Sequence, residues 1–512
     1  MQVVHHLSAG QQLWIGIQEK FLTQDLKLFL REILPSGIIF FSRNIESIEK
    51  FKKFVLDLRE LLGEEVFFAI DHEGGLVQRL SEVDFVNQKS SITPFPGNRA
   101  LGKSGREDWA YQQGKVMAAE LGSLGIQVNL APVVDVLTEQ FNPGITIRSF
   151  GDDPLLVSRL AQVSIRGMQD HGLAATAKHF PGKGAATIDA HEDLPFVSSS
   201  EEEIDTVHLE PFRNAIKTGV SFIMTSHVVY RNLDASFPAT FSKKIVQELL
   251  REKLSFNNVI LSDDLEMGAI VRKFSFEESV IRSVEAGHDF VLICHQPDLI
   301  RRGYRALESA YQTGRLDYQH LEKSISRLKD TLKKVVSKKA IILDKEGWIL
   351  SCEIAEASVE LVQRGHFLST NNMKKKERTI FIPDFFELSD RFYFEKVLLD
   401  EESFFLKSFK NRGYSVKEYR FSLKKDFDVE NFGDVSPDSS VVLFCFDAKN
   451  FQAQRDILLE AQKRFNPCAV ILLRNPYDRE YVKEGTTFIQ TYGFRTPQIQ
   501  RAIEILCEME GV

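Results

Sequence analysis

Residues 173–195 read LAATAKHFPGKGAATIDAHEDLP. The first five are apolar or small and lead into a lysine and a histidine, the profile of a buried strand whose end reaches a polar site. Pro181, Gly182 and Gly184 then bar continuation as strand or helix. Lys178 and His179 therefore stand at a strand's end, and Asp189 and His191 ride on the long loop that follows.

Working outward, apolar runs of strand length recur up to about residue 340 with helical patterns between them. They are LWIGI (13–17), GIIFF (37–41), VFFAID (66–71), VNLAPVVDV (128–136), LAATAKHF (173–180), SFIMTSHVV (221–229), NVILSDDL (258–265) and FVLIC (290–294). Eight runs of continuous rather than alternating apolarity fit the parallel strands of a TIM-like (β/α)8 barrel, buried on both faces. The acidic cluster in SSSEEEIDTVHLEPFRNAI (198–216) follows serines and reads as a helix cap, not as an active site.

A second region follows the helical stretch that ends near Lys339. Its strands are TIFIPDFF, YSVKEYRF, SSVVLFCFDA, CAVILLRNP and TTFIQTYG, separated by helical segments such as NFQAQRDILLEAQKRF. This is the pattern of a smaller, doubly wound α/β domain. No Gly-x-Gly-x-x-Gly opens its helices, so a dinucleotide cofactor is not expected. The boundaries expected are a barrel domain over 1–340, a linker over 341–378 containing the basic run NNMKKKER, and an α/β domain over 379–512.

Composition narrows the function classes. A formal net charge of -8 over 512 residues offers no basic domain to neutralise phosphates, which argues against nucleic acid as the main partner. Cys294, Cys352, Cys445, Cys468 and Cys507 are odd in number and widely spaced, which suits a reducing, cytoplasmic setting and gives no zinc-site spacing. The N-terminal MQVVHHLSAGQQLWIGIQEK lacks the layout of a signal peptide. No window approaches the roughly 18 apolar residues of a membrane span. We expect a monomer with no membrane partner, no cofactor and no metal.

Polar residues gather at the ends of consecutive strands, where a barrel keeps its active site. Asp71 ends the third run, and the loop after it brings Arg79. The fourth run carries Asp135 and its loop brings Arg148. Lys178 and His179 end the fifth run, Ser226 and His227 the sixth, Asp263 and Asp264 the seventh. One charged residue at a strand end is usually a loop salt bridge. Five strands in succession ask for another explanation.

These stretches resemble glycoside hydrolase family 3, in the two-domain form of its β-N-acetylglucosaminidase (NagZ-like) branch. KHFPGKGAATIDAHEDLP (178–195) resembles the branch's KHFPGHGDT-x-x-D-S-H segment, DHEGGLVQRL (71–80) its D-x-E-G-G-x-V-x-R-L, and RSFG (148–151) and SDDLEM (262–267) its equivalents. SGIIFFSRNI (36–45), NLAPVVDV (129–136) and AGHDFVLIC (286–294) fill the intervals, and LLRNPYD (472–478) carries a weaker likeness in the second region.

The resemblance implies a retaining exo-β-N-acetylglucosaminidase that takes non-reducing β-1,4-linked GlcNAc from muropeptides. Asp263 would be the nucleophile. His191 would be the acid/base, oriented by Asp189, and a histidine suits the task because its unperturbed pKa of about 6.5 lies near the operating pH. Asp71, Arg79, Arg148, Lys178 and His179 would hold the sugar. Asp264 is expected to be a structural carboxylate, and His227 to serve in packing or support as readily as in substrate contact.

The chain departs from the family pattern at the loop tip. Lys183 stands where the branch has histidine, and Ala185-Ala186 where it has Asp-Thr. The expectation is a tip without side-chain braces that moves differently, or an altered leaving-group subsite. Alternative readings are a broad β-glucosidase of the same family and a catalytically silent sugar-binding protein. A metal-dependent barrel hydrolase lacks its His-x-His or His-Glu-x-x-His here.

Overall fold

In a computed structural model, each of the eight apolar runs contains a strand: β1 Leu13–Gly16, β2 Gly37–Phe40, β3 Phe67–Ile70, β4 Val128–Asn129, β5 Ala174–Phe180, β6 Phe222–Thr225, β7 Val259–Asp264 and β8 Phe290–Ile293. They close into one barrel in the order β1-β8-β7-β6-β5-β4-β3-β2, and the recorded pairings between neighbours are parallel. The structure describes residues 7–84, 89–187, 194–336, 345–365, 377–389, 392–400, 403–426 and 432–509.

One buried cluster takes a side chain from every barrel strand: Trp14, Ile39, Ala69, Val128, Ala174, Phe222, Val259 and Phe290. Only the barrel interior is shared by all eight, so these are the inward residues. Ala69 and Ala174 leave room for the aromatics, and Trp14 meets Phe222 edge-on at 5.6 Å between centroids. Large and small side chains thus fill the interior, and the polar ends of the strands are left to form a site.

Two strands are irregular where the chemistry-bearing residues sit. The β5–β6 register shifts between Lys178 and Phe180, and the β7–β8 register between Leu261 and Asp264. Such bulges re-aim side chains at barrel rims. β4 is shorter than its nine-residue run because Pro132 has no N–H for a ladder, and Asp135 is carried beyond the paired stretch. The Ser200 hydroxyl accepts from Glu203 N–H, so the acidic cluster after it does begin a helix.

The chain divides into two compact units. The first comprises Met1–Glu73, Ser90–Ile92 and Gly105–Gly347, and the second Gly74–Lys89, Thr93–Ser104 and Trp348–Val512. In the second, β9 Glu360–Gln363, β10 Glu377–Pro383, β11 Ser415–Phe421, β12 Val441–Cys445, β13 Cys468–Leu472 and β14 Thr487–Gln490 form one sheet in the order β9-β14-β13-β12-β10-β11. All pairs are parallel except β9 with β14. This is the α/β domain expected, with an antiparallel edge added.

The stretch 341–378 is therefore not simply a linker. It contains the helix Glu346–Ser358, which buries Trp348, Leu350 and Ile354, and the edge strand β9. Glu377 and Arg378 begin β10, while 371–376 of the basic run lie outside the described residues. The LLRNPYD segment also has a structural task. Arg474 Nη1 and Asn475 Nδ2 each donate to Asp447 at 2.7 Å, and Asp478 accepts from Ala448 N–H and Lys449 N–H, pinning the loop after β12.

Candidate active site

Three carboxylates and three bases from the ends of β3, β4 and β5 interlock. Asn129 of β4 exchanges hydrogen bonds with the backbone of His72, which fixes the chain leaving β3 with Asp71 and Glu73 on it. Lys178 Nζ donates to Asp71 Oδ1 at 2.5 Å and to Glu73 Oε1 at 2.6 Å. Arg148 approaches Glu73 in the two-pronged manner of guanidinium on carboxylate, Nε to Oε2 at 2.9 Å and Nη2 to Oε1 at 2.7 Å.

The turn that delivers Arg148 is strained. Thr146 is β-branched and buried, yet has φ of 38°, a region such residues rarely occupy. Arg148 Nη1 also donates to Gly144 O at 2.8 Å, which closes the turn on itself. Burial disfavours the guanidinium charge, but Glu73, Asp71 and Asp135 outweigh it and hold the Arg148 pKa above its ordinary value.

Asp135 is wholly buried beneath His179. It accepts from Lys183 N–H at 2.7 Å and from His179 N–H at 3.2 Å, and its Oδ2 faces His179 Nδ1 at 2.8 Å. Burial pushes its carboxyl up to about 7, while the two backbone donors pull the other way. Donors converge on it, so the cradle fits a carboxylate and assigns the proton of His179 to Nδ1. Burial and then Arg148 and Lys183 hold the His179 pKa well below its ordinary value, which keeps the ring neutral. Its Nε2 lies 3.5 Å from Arg148 Nη2.

On the opposite strands, Asp263 and Asp264 diverge. Asp264 is committed to the loop after β8: its Oδ1 accepts from Cys294 N–H at 3.2 Å, and its Oδ2 lies 3.2 Å from His295 Nε2. Asp263 is half-buried, accepts from Asp264 N–H at 2.9 Å, and among the described residues pairs with no cation. His227 donates from Nε2 to the Asp264 carbonyl at 2.9 Å, and Thr240 lies 2.7 Å from its other nitrogen. Burial lowers the His227 pKa, with Asp263 the leading opposing influence. His227 thus sits in a supporting arrangement beside the Asp263–Asp264 strand end.

Asp71, Arg148, Lys178, His179 and Asp263 therefore all belong to the first unit, Arg148 on the loop after β4 and the others at strand ends. Arg79 is carried by 74–89, part of the second unit. Asp189 and His191 lie outside the described residues. Glu73 is the residue that the sequence reading passed over. Its signal was the spacing Asp71-x-Glu73, but its task depends on Arg148, which is 75 positions away. Among the described residues, no group of three or more His, Cys, Asp or Glu side chains is placed to hold a metal ion. No described helix is long and apolar enough to cross a membrane.

The small side chains of the loop tip make no hydrogen bonds, and its backbone groups are bonded instead. Gly182 N–H donates to His179 O, Tyr230 Oη to Gly182 O, Asn142 Nδ2 to Lys183 O and Glu139 N–H to Gly184 O. Gly182 has φ of 118°, and a Cβ on Gly184 would stand 1.7 Å from Val136 O. The tip contributes backbone groups to these bonds, and Tyr230 and Asn142 contribute side chains.

A closed parallel barrel with carboxylates, guanidinium, ammonium and imidazoles converging at the mouth formed by its strand ends has the layout of a barrel enzyme's active site. More particularly, the chain belongs to glycosyl hydrolase family 3, whose N terminal domain matches residues 11–331, and it is a glycoside hydrolase. Among curated proteins it is 34% identical over 322 residues to a beta-hexosaminidase of Nitrosomonas eutropha, covering 61% of this chain and 90% of that one. A family 3 beta-N-acetylglucosaminidase from Paenibacillus sp. superposes with a TM-score of 0.84 at 29% identity, covering 98% of this chain and 96% of that one. NagZ from Neisseria gonorrhoeae, solved with N-trifluoroacetyl-D-glucosamine, gives 0.55 at 30% identity, covering 68% and 98%.

Proposed function

We propose that this glycoside hydrolase is a retaining exo-β-N-acetylglucosaminidase that removes non-reducing β-1,4-linked GlcNAc from muropeptides. The observation that carries the reading is the network Lys178–Asp71–Glu73–Arg148–His179 at the strand ends of the barrel that also holds Asp263. The beta-hexosaminidase and beta-N-acetylglucosaminidase relatives support the sugar.

In the mechanism, Asp71 accepts from sugar hydroxyls, while Lys178, Arg148 and neutral His179 hold the ring's oxygens. The Asp263 carboxylate attacks the anomeric carbon as the bond to the leaving oxygen breaks, and His191, oriented by Asp189, gives that oxygen a proton. Water then attacks the glycosyl-aspartate carbon, His191 recovers a proton from it, and Asp263 leaves as carboxylate. We place this chemistry in residues 1–340 and assign no catalytic residue to 379–512. The five free thiols suit a reducing, cytoplasmic setting, where we place the protein as a monomer acting on imported wall fragments.

Turnover of chromogenic β-GlcNAc and β-glucoside substrates tests the reading. Preference for β-GlcNAc is expected. Absence of hydrolysis in several buffers, or preference for the glucoside, would overturn it.

A further inference from the structure

Lys183 is a buried lysine at the tip of the loop after β5, with 3% of its surface exposed. Among the described residues, no carboxylate lies within ion-pair distance of its Nζ. Its charge acts on side chains from three successive strand ends, favouring the Asp135 carboxylate and disfavouring protonation of His179 and of His227. Geometry places the residue beside the sugar-holding network: Lys183 N–H donates to Asp135 Oδ1, and the other oxygen of that carboxylate faces His179 Nδ1 at 2.8 Å.

Its backbone cannot swing away. Lys183 N–H is bound to Asp135 at 2.7 Å, Lys183 O accepts from Asn142 at 2.8 Å and from Ala186 N–H at 3.1 Å, and glycines on either side sit against His208 and Val136. The neighbouring positions carry Ala185 and Ala186, so Lys183 is the one charged side chain of the tip 182–186.

We propose that Lys183 is a specificity-determining residue that pairs with an anionic group, a carboxylate, on the leaving-group side of the glycoside. The side follows from the chain: this loop runs on into Asp189 and His191, and the acid that protonates the leaving oxygen must face the leaving group. The inference rests on the proposed hydrolase mechanism, and it names a substrate class, β-GlcNAc glycosides with a carboxylate-bearing aglycone.

The test compares kcat/KM for two β-GlcNAc glycosides of one phenol, with and without a carboxymethyl substituent. The wild type is expected to prefer the carboxylate by about tenfold at low salt, in keeping with one charge-assisted bond. That preference should shrink as ionic strength rises. Lys183→Gln and Lys183→Met should bring the ratio to about one, and Lys183→Arg should restore part of it. Absence of preference in the wild type, or an unchanged ratio in a folded Gln or Met variant, would overturn the inference. Should both neutral variants fail to fold, the salt series on the wild type decides, and a salt-independent ratio overturns it. Should the wild type hydrolyse neither glycoside, the hydrolase reading fails on its own. Calorimetric Kd values for the same two compounds then decide, and equal affinities overturn the role of Lys183.

Discussion

Glu73 grips Arg148 through both carboxylate oxygens, at 2.9 Å to Nε and 2.7 Å to Nη2, and shares Oε1 with Lys178 at 2.6 Å. One buried carboxylate therefore fixes two of the groups proposed to hold the sugar. Glu73→Gln keeps the shape and removes the charge that both cations lean on. We expect kcat/KM to fall by about a hundredfold and stability to fall by about 3 kcal/mol, since breaking a buried ion pair leaves its partners uncompensated. Steady-state kinetics and urea unfolding read the two effects, and a wild-type kcat/KM would remove Glu73 from the account.

Asp263 and Asp264 are adjacent but should behave oppositely. Asp264 braces the loop after β8, so Asp264→Ala should cost about 2 kcal/mol of stability in thermal unfolding. Asp263→Asn should melt near the wild-type temperature and lose at least about a thousandfold in kcat, as loss of a nucleophile does. Reversed effects would exchange the roles of the pair.

The tip of the loop after β5 is expected to be intolerant of growth. In Gly184→Ala the new methyl would stand 1.7 Å from Val136 O, so the backbone that presents Lys183 must move. We expect about 2 kcal/mol of destabilisation, the cost of overpacking, and a kcat/KM at least about tenfold lower. Unfolding curves and kinetics on one preparation test this, and an unaffected variant would show that the tip relaxes freely.

His288 makes stability depend on pH. It is buried with Nδ1 against Ser283 O and Nε2 against the Thr225 hydroxyl, and burial lowers its pKa from 6.5 to about 4. The unfolded chain takes up this proton near pH 6.5 and the folded chain only near 4. The unfolded state thus binds more protons between those values. Stability should fall as pH drops through that window, by about 3 kcal/mol from this group, and level off below it. In urea melts at pH 7 and 5, the stability gap between wild type and His288→Gln should narrow at the lower pH. A constant gap would refute the assignment.

Much of this architecture could be read from the amino-acid order, because parallel barrel strands are buried on both faces and leave continuous apolar runs. The site was legible in the same way where residues such as Lys178, His179 and Asp263 end those runs. Glu73 was not, because its meaning lies in contacts with Arg148 and Lys178 that no local pattern records. The helix Glu346–Ser358 and strand β9 were hidden for a related reason: a basic run nearby reads as solvated connection, and an edge strand needs its partner to be recognised. The bracing of the 182–186 tip joins its backbone groups, which every sequence possesses, to the Asn142 and Tyr230 side chains 41 and 48 positions away.

The most direct test of the mechanism is to trap the enzyme with a fluorinated β-GlcNAc donor that forms the glycosyl-enzyme faster than it is hydrolysed, and to map the labelled peptide. The account predicts one label, on Asp263 within SDDLEM (262–267). A label on Asp264 or any other residue would contradict it.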